Sequence, residues 1–205
     1  MLRDGGRMHG LQLWVNLPAR RKMVDTGYQD LRASLRPRVD RPGTSIDVIS
    51  GTVGEVTGSA SNVHPIQGAV ISLEPGTDLD YAVSATHRAF FYVLEGRVTV
   101  AGRAVNEGQV AWSDPVRAGD SSVRIASTAT EEVSRVLTYS GQPLREPVVL
   151  GGPFVMNSRA EIEAAFRATR AAQDADDWNA YCDLLTEDAV YVEHHFGVYR
   201  GREAI

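Results

Sequence analysis

The side chains that could bind a metal ion or act as a nucleophile are few and scattered. The candidates are one cysteine and five histidines: Cys182, His9, His64, His87, His194 and His195. His9 precedes the first strand-like segment, and His64 stands before a proline in a turn-rich stretch. His87 has no second ligand nearby in sequence, and a lone imidazole lacks chelate partners, so we interpret it as structural or exposed. The sequence shows no Ser-His-Asp, Cys-His or phosphate-loop arrangement.

A second cluster, Glu193-His194-His195, follows the strand-like run Val190 to Val192. Acid, base or ligand roles are open to these residues if they face a pocket. Because side chains alternate along a strand, His194 and His195 point to opposite faces. At most one of them can therefore point inward, and we predict no catalytic residue here.

The elements that would position any site centre on a run of short strands. Phe90 to Leu94 and Arg97 to Val100 are β-type segments joined by the turn Glu95-Gly96. Turns at Ala101-Gly102 and Asn106 to Gly108 lead into another strand at Gln109 to Trp112. Strands this closely spaced predict an antiparallel sandwich or barrel.

The rest of the first 150 residues is also expected to be β structure. Leu11 to Leu17 alternates apolar and other residues as a period-two strand that ends at Pro18. Arg32 to Thr44 is expected to be a loop interrupted by two prolines, and Gly51 to Gln67 a long turn region. Further strands are predicted at Ile46 to Ile49, Ala69 to Leu73, Val123 to Ala126 and Val133 to Tyr139.

These motifs resemble known proteins. FYVLEGRVTVAG followed by GQVAW resembles the central hairpin of a cupin, a small jelly-roll barrel. GRMHGLQLWVNLPARRKM, IDVISG and SGQPLREPVVLGGPFVMN resemble the second half of the pirin family over residues 5 to 165. The resemblance implies a cupin-type barrel whose metal-bearing partner half is not part of this sequence.

The cupin resemblance also implies where metal ligands would lie. Such a site takes two His and one Glu from a first motif and one His from a second. Counting back from Gly96 places the Glu equivalent at Ala89 and the two His equivalents near Ala82 or Val83 and Ser84 or Ala85. The second motif, from Gly108 through Pro115 to Ser121, contains no His. We therefore expect no metal, no cofactor and no catalytic residue in this barrel.

After Asn157 the pattern becomes helical. Ser158 and Glu161 form a capping-box signature, and Ile162, Ala165, Phe166 and Thr169 recur at helical spacing. The tail to Ile205 resembles the opening of a nuclear transport factor two-like (SnoaL-like) domain: two helices and a short strand, cut off before its sheet. We therefore divide the chain into a pirin-like cupin lobe, 1–157, and a partial SnoaL-like segment, 158–205.

Composition limits the classes of partner and compartment. A net charge of −5, with one basic cluster at Arg20 to Lys22, argues against a nucleic-acid-binding surface. No apolar run reaches the ~20 residues that span a bilayer. The lone Cys182 and the absence of a signal-peptide pattern predict a cytoplasmic protein.

Three functions remain open. The favoured one is a metal-free structural or interaction module that forms a homodimer or binds a partner protein. The contact would use the exposed barrel face and the 11–17 strand. The first alternative is part of a pirin-type flavonol (quercetin) dioxygenase whose metal-binding half comes from another chain. The second is a gene fragment or fusion without function.

Overall fold

The computed structural model describes residues 10–25, 27–114, 121–175, 190–193 and 197–200, the last two ranges by their backbone only. The strands are β1 Arg38–Arg41, β2 Thr44–Ser50, β3 Thr52–Val53, β4 Val56–Thr57, β5 Ile66–Leu73, β6 Asp78–Ala82, β7 Arg88–Glu95, β8 Arg97–Val100, β9 Arg103–Asn106, β10 Val110–Trp112, β11 Ser122–Ser127, β12 Ser134–Gly141, β13 Val149–Gly151, β14 Phe154–Met156, β15 Val190–Glu193 and β16 Gly197–Arg200. One α-helix, α1, spans Arg159–Asp174, and two short 3₁₀ turns cover Ala19–Arg21 and Ala33–Leu35.

The chain forms two compact units. The barrel unit is residues 23–145, and the flanking unit combines residues 1–22 with 146–205. This division follows packing, whereas the boundary expected at residue 157 follows family resemblance and stays a prediction.

The barrel unit consists of two antiparallel sheets around one core. The larger sheet has the order β1-β2-β5-β12-β7-β10, and the smaller has the order β6-β11-β8-β9. Buried residues of both sheets form a single cluster that includes Ile46, Phe91, Leu79, Val98 and Ile125. This arrangement is mostly β and is consistent with the expected jelly-roll barrel.

The predicted turn at Glu95-Gly96 is confirmed, but the two strands that it joins do not pair as a hairpin: β7 belongs to the larger sheet and β8 to the smaller one. β8 has the predicted bounds, and Gly96 adopts a positive φ of 76°. A Cβ at Gly96 would lie 2.7 Å from the Oγ of Ser134, so this corner needs glycine for both conformation and space. The Ser134 hydroxyl donates to the Arg97 carbonyl at 2.9 Å, which ties the turn to β12.

The strand predicted at Leu11 to Leu17 is wrong for the single chain. The structure assigns no regular secondary structure to residues 10–18. A strand requires a neighbour to receive its backbone hydrogen bonds, and none of the paired strands lies against this segment in the described part of the chain. Residues 11–17 therefore have the alternating pattern of a strand but belong to none of the described sheets.

Two smaller expectations were also wrong. Arg32 to Thr44 is not one loop, because β1 pairs with β2 through Val39 opposite Ile46. Arg103–Asn106 also forms a strand, which pairs with β8, although the sequence indicated only turns on either side of it. In both cases the pairing with a neighbouring strand decided the local structure.

Polar contacts link separate segments of the flanking unit. The Glu146 Oε2 atom accepts hydrogen bonds from the Ala19 backbone N–H at 2.6 Å and from the Asn157 side chain at 3.3 Å. The predicted capping box at α1 is confirmed: the Ser158 side chain accepts from the Glu161 N–H, and Glu161 accepts from the Ser158 N–H. Neither α1 nor any other described helix is long and apolar enough to cross a membrane.

Candidate functional site

The positions that the cupin resemblance assigns to metal ligands are filled by small or apolar residues. Alternation along β6 and the segment after it buries Val83 and Ala85 and leaves Ala82 and Ser84 exposed. Ala89, on β7, is also buried. Of the alternatives left open by the sequence, Val83 and Ala85 therefore face the interior. Alkyl groups carry no lone pair, so these three side chains cannot bind a metal ion.

A band of polar side chains surrounds these positions. Ser140 on β12 pairs with Ala89 on one side and with Gln67 on the other. The Gln67 side chain donates to the Tyr81 hydroxyl at 3.0 Å. Burial raises the pKa of Tyr81 to about 12, and the Gln67 hydrogen bond lowers it by a smaller amount. Tyr81 is therefore a neutral phenol that fills the interior, packed edge-on against Phe91.

His87 is half-buried and lies next to Ser140 at the end of this band. Its Nδ1 atom lies 3.3 Å from the Ser140 Oγ, and its backbone N–H donates to the Ser84 carbonyl at 2.9 Å. Burial lowers the pKa of His87, and the nearby His64 lowers it further. His64 itself lies 3.4 Å from the Gln142 carbonyl. Both imidazoles thus contact residues at the C-terminal end of β12 and link it to the neighbouring segments.

Two hydroxyl groups inside the barrel have no hydrogen-bond partner among the described residues. Thr138 and Ser50 are each 1% exposed, and the Thr138 Oγ1 and Ser50 Oγ atoms are unpaired. Thr138 lies between Ala69 and Phe91 in the sheet, two residues before Ser140 on the same face of β12. The interior therefore changes from aliphatic at Val136 to small and polar towards Ser140.

Sequence reasoning missed this band because it looked only for His and Glu at motif spacing. The signal was the period-two series Ser134, Val136, Thr138 and Ser140, which places small polar residues on one face of β12. The larger Leu137 and Tyr139 lie on the other face of β12.

The outer face of the larger sheet carries an aromatic row. Phe90 lies 5.3 Å from Trp112 and 5.9 Å from Tyr139, measured between ring centroids. Tyr139 lies over Gly68, where a Cβ would come within 2.2 Å of the ring. Trp112 at the end of the row is 66% exposed. Phe90 is therefore a wall residue, whereas Phe91 belongs to the core.

The remaining candidates divide between described and undescribed residues. Among the residues described with side chains, no three His, Cys, Asp or Glu come together as a possible metal group. Glu193 ends β15, which pairs with β16. His9, Cys182, His194, His195 and residues 115–120 of the second motif lie outside the described residues.

The chain is similar to pirins over most of its length. The model of the pirin C-terminal cupin domain matches residues 68–174, just over half of the chain. Pirin-1 of Arabidopsis thaliana is 35% identical over 159 residues, which are 77% of this chain and 55% of that protein. Human pirin is 32% identical over 169 residues, 81% of this chain and 57% of that protein.

A solved structure agrees. The crystal structure of quercetin 2,3-dioxygenase from Acinetobacter baumannii superposes with a TM-score of 0.70 at 31% identity, covering 78% of this chain and 55% of that one. This chain thus spans a little over half the length of these relatives. With the matched domain, the shared barrel and these identities, the chain belongs to the pirin family.

Proposed function

We propose that this chain is a metal-free cupin lobe of pirin type that serves as a structural or interaction module without a catalytic site of its own. The observation that carries the proposal is the burial of Val83, Ala85 and Ala89 at the inward ligand positions. Ala89 stands beside Ser140, where the resemblance would place a carboxylate. A transition metal needs several converging nitrogen, oxygen or sulfur ligands, and these alkyl groups supply none.

The test is elemental analysis of chain purified after growth with added iron. We expect well under one equivalent of iron, manganese, nickel, copper or zinc per chain. One tightly held metal ion per chain would overturn the proposal, and its loss in His87→Ala but not in His64→Ala would identify His87 as a ligand. His64→Ala is the matched control because both imidazoles contact the end of β12.

A second candidate is a pirin-type flavonol dioxygenase completed by a metal-bearing half from another chain. It is supported by the 31% identity to a protein named quercetin 2,3-dioxygenase and by the part of that protein that this chain leaves unmatched. The experiment mixes this chain with the unmatched half of that relative and follows oxygen-dependent loss of quercetin absorbance. Activity of the mixture above that of either half alone supports this candidate over the first.

Two finer assignments belong to the same proposal. Residues 158–205 are taken as the start of a SnoaL-like segment, supported by the tail sequence and by the antiparallel β15–β16 pair. A cytoplasmic location is supported by the single cysteine, which suits a reducing compartment.

A further inference from the structure

The segment Leu11 to Leu17 is exposed in an unusual way for an apolar sequence. Leu11, Leu13, Trp14 and Val15 are 49%, 43%, 66% and 44% exposed, respectively. The segment contains no charged residue, and β-branched and aromatic side chains favour extended backbone. The segment therefore has a sequence typical of a strand, and its apolar side chains are exposed to solvent.

Its backbone is open as well. From Leu11 to Leu17, no N–H or C=O group bonds to another backbone group of the described chain. The Asn16 side chain accepts from the Lys22 ammonium, and Ala19 is held by Glu146, so the segment is anchored at its C-terminal end. Backbone donors and acceptors that bond to no other backbone group of the described residues, next to exposed apolar side chains, meet the condition for strand addition.

The unit that carries this segment has little core to bury it. In the described part of the flanking unit, Pro18 and Ile162 are the only apolar residues classed as buried. Val148, Leu150 and Phe166 of the same unit are 55%, 75% and 47% exposed. The described part of this unit therefore exposes apolar side chains that a partner could cover.

The sequence of the segment is nearly symmetric about Trp14. In an antiparallel pair of two copies centred there, Leu11 faces Leu17, Leu13 faces Val15, and Gln12 faces Asn16. Trp14 faces its own copy. A two-fold contact requires a surface complementary to itself, and this register places apolar side chains opposite apolar ones and amides opposite amides.

Charge favours the same direction of pairing. Arg20, Arg21 and Lys22 follow the segment and form a basic cluster at one end. A parallel pair would place the two clusters side by side, whereas an antiparallel pair separates them by the length of the strand. Like charges directly opposite are destabilising, so the antiparallel arrangement is preferred.

We propose that Leu11 to Leu17 is a homodimer strand: two copies of this chain pair antiparallel about Trp14 and so form a two-stranded ribbon. The proposal names the partner of the interaction module described above and rests on that proposed function. In the dimer the segment would become a regular strand, because the second copy supplies backbone hydrogen-bond partners that the described residues of the single chain do not.

Sedimentation velocity at tens of micromolar, the order at which weak association is visible, gives the first test. We expect the wild type to sediment as a dimer, with twice the chain mass of 22.3 kDa. Leu13→Lys should raise the dissociation constant at least about tenfold, because it places an unpaired charge in the strand contact. Val63→Lys is the matched control: Val63 is also 43% exposed but belongs to the barrel unit, and this variant should remain a dimer.

Disulfide formation tests the register independently of stability. In a Cys182→Ala background, Trp14→Cys places two thiols directly opposite, with Cα atoms about 5 Å apart. Gln12→Cys places them about 13 Å apart, beyond the ~7 Å that a disulfide can bridge. Oxidation should therefore link the first variant and leave the second unlinked. Equal linking of both, or of neither, contradicts the register.

The outcomes separate this inference from the proposed function. A monomeric wild type without bound metal overturns the homodimer strand and leaves the metal-free lobe standing. A dimer that holds one metal ion per chain supports the homodimer strand and overturns the metal-free lobe. A chain that is monomeric alone, but forms a one-to-one complex with the unmatched half of a longer pirin, also overturns pairing with a second copy.

Discussion

The barrel unit and the flanking unit use the same kinds of residue with opposite results. Nearly every buried hydrophobic side chain of the described residues lies in the barrel unit, where two sheets share one cluster. The flanking unit has comparable apolar residues, but Leu11, Trp14 and Leu150 remain exposed. The difference shows that apolar character stabilises a fold only where a second layer is present to pack against it.

A matched pair of phenylalanine variants should give the largest effect. Phe91 is 1% exposed in the barrel core, whereas Phe166 is 47% exposed and packs edge-on against Phe154. We expect Phe91→Ala to lower the free energy of unfolding by about 3–5 kcal/mol and Phe166→Ala by about 1 kcal/mol or less. Urea unfolding followed by tryptophan fluorescence measures both. Similar losses would show that the two units share one core.

A pair of glycine variants sharpens the comparison within the barrel. Gly96 and Gly102 have φ values of 76° and 77°, but only Gly96 has atoms of Ser134 within 3.0 Å of an added Cβ. Gly102→Ala should cost about 1–2 kcal/mol for its left-handed backbone. Gly96→Ala should cost at least about 1 kcal/mol more, since Ser134 must also move. Thermal unfolding of the two variants side by side checks the difference, and equal losses contradict it.

Removing the tail should have a smaller effect. Deleting residues 167–205 leaves the barrel unit untouched, so its free energy of unfolding should change by no more than about 1 kcal/mol. Urea unfolding of full-length and shortened chains is the measurement. A loss as large as that of Phe91→Ala would mean that the tail contributes to the barrel core.

The smallest effect should be a dependence of stability on pH at His87. Its pKa is lowered in the folded state, so folding favours the neutral imidazole. The contribution is complete above the ordinary pKa of 6.5 and is lost as pH falls from there through the lowered value. Because the ring is largely solvent-screened, the change should stay below about 1 kcal/mol.

The measurement at His87 is a difference between variants. Comparing the unfolding of wild type with that of His87→Gln at pH 7.5 and 5 separates this residue from the carboxylates, which both proteins share. If wild type and His87→Gln lose the same stability over that range, burial of His87 has no energetic consequence.

The parts of the fold that were predictable from sequence depend on local rules. Glu95-Gly96 fixes its turn through the backbone freedom of glycine, and Ser158 with Glu161 fixes the helix start. The strand predicted at Leu11 to Leu17 does not form in the single chain, because no strand of the described residues lies beside it to accept and donate its backbone hydrogen bonds. β1 was missed for the converse reason, since pairing with β2 outweighs the neighbouring prolines.

The candidate site was predictable only in part. Counting back from Gly96 gave Ala89 as the Glu equivalent and two adjacent pairs as the His equivalents, and Ala89 is buried in the structure. Alternation in the folded strand was needed to select Val83 and Ala85. The contacts of Ser140 with His87 and of Gln67 with Tyr81 join residues far apart in sequence, and no local pattern encodes them.

The capping box at Ser158 has a consequence for how such a chain can change over evolution. Its hydrogen bonds join only Asn157, Ser158 and Glu161, and all of them are complete within the first turn of α1. The start of the helix is therefore specified without reference to any residue beyond that turn. Genetic recombination just downstream could exchange the following sequence for that of another family and still inherit a properly begun helix. A self-contained helix start of this kind is a permissive point for joining two protein families.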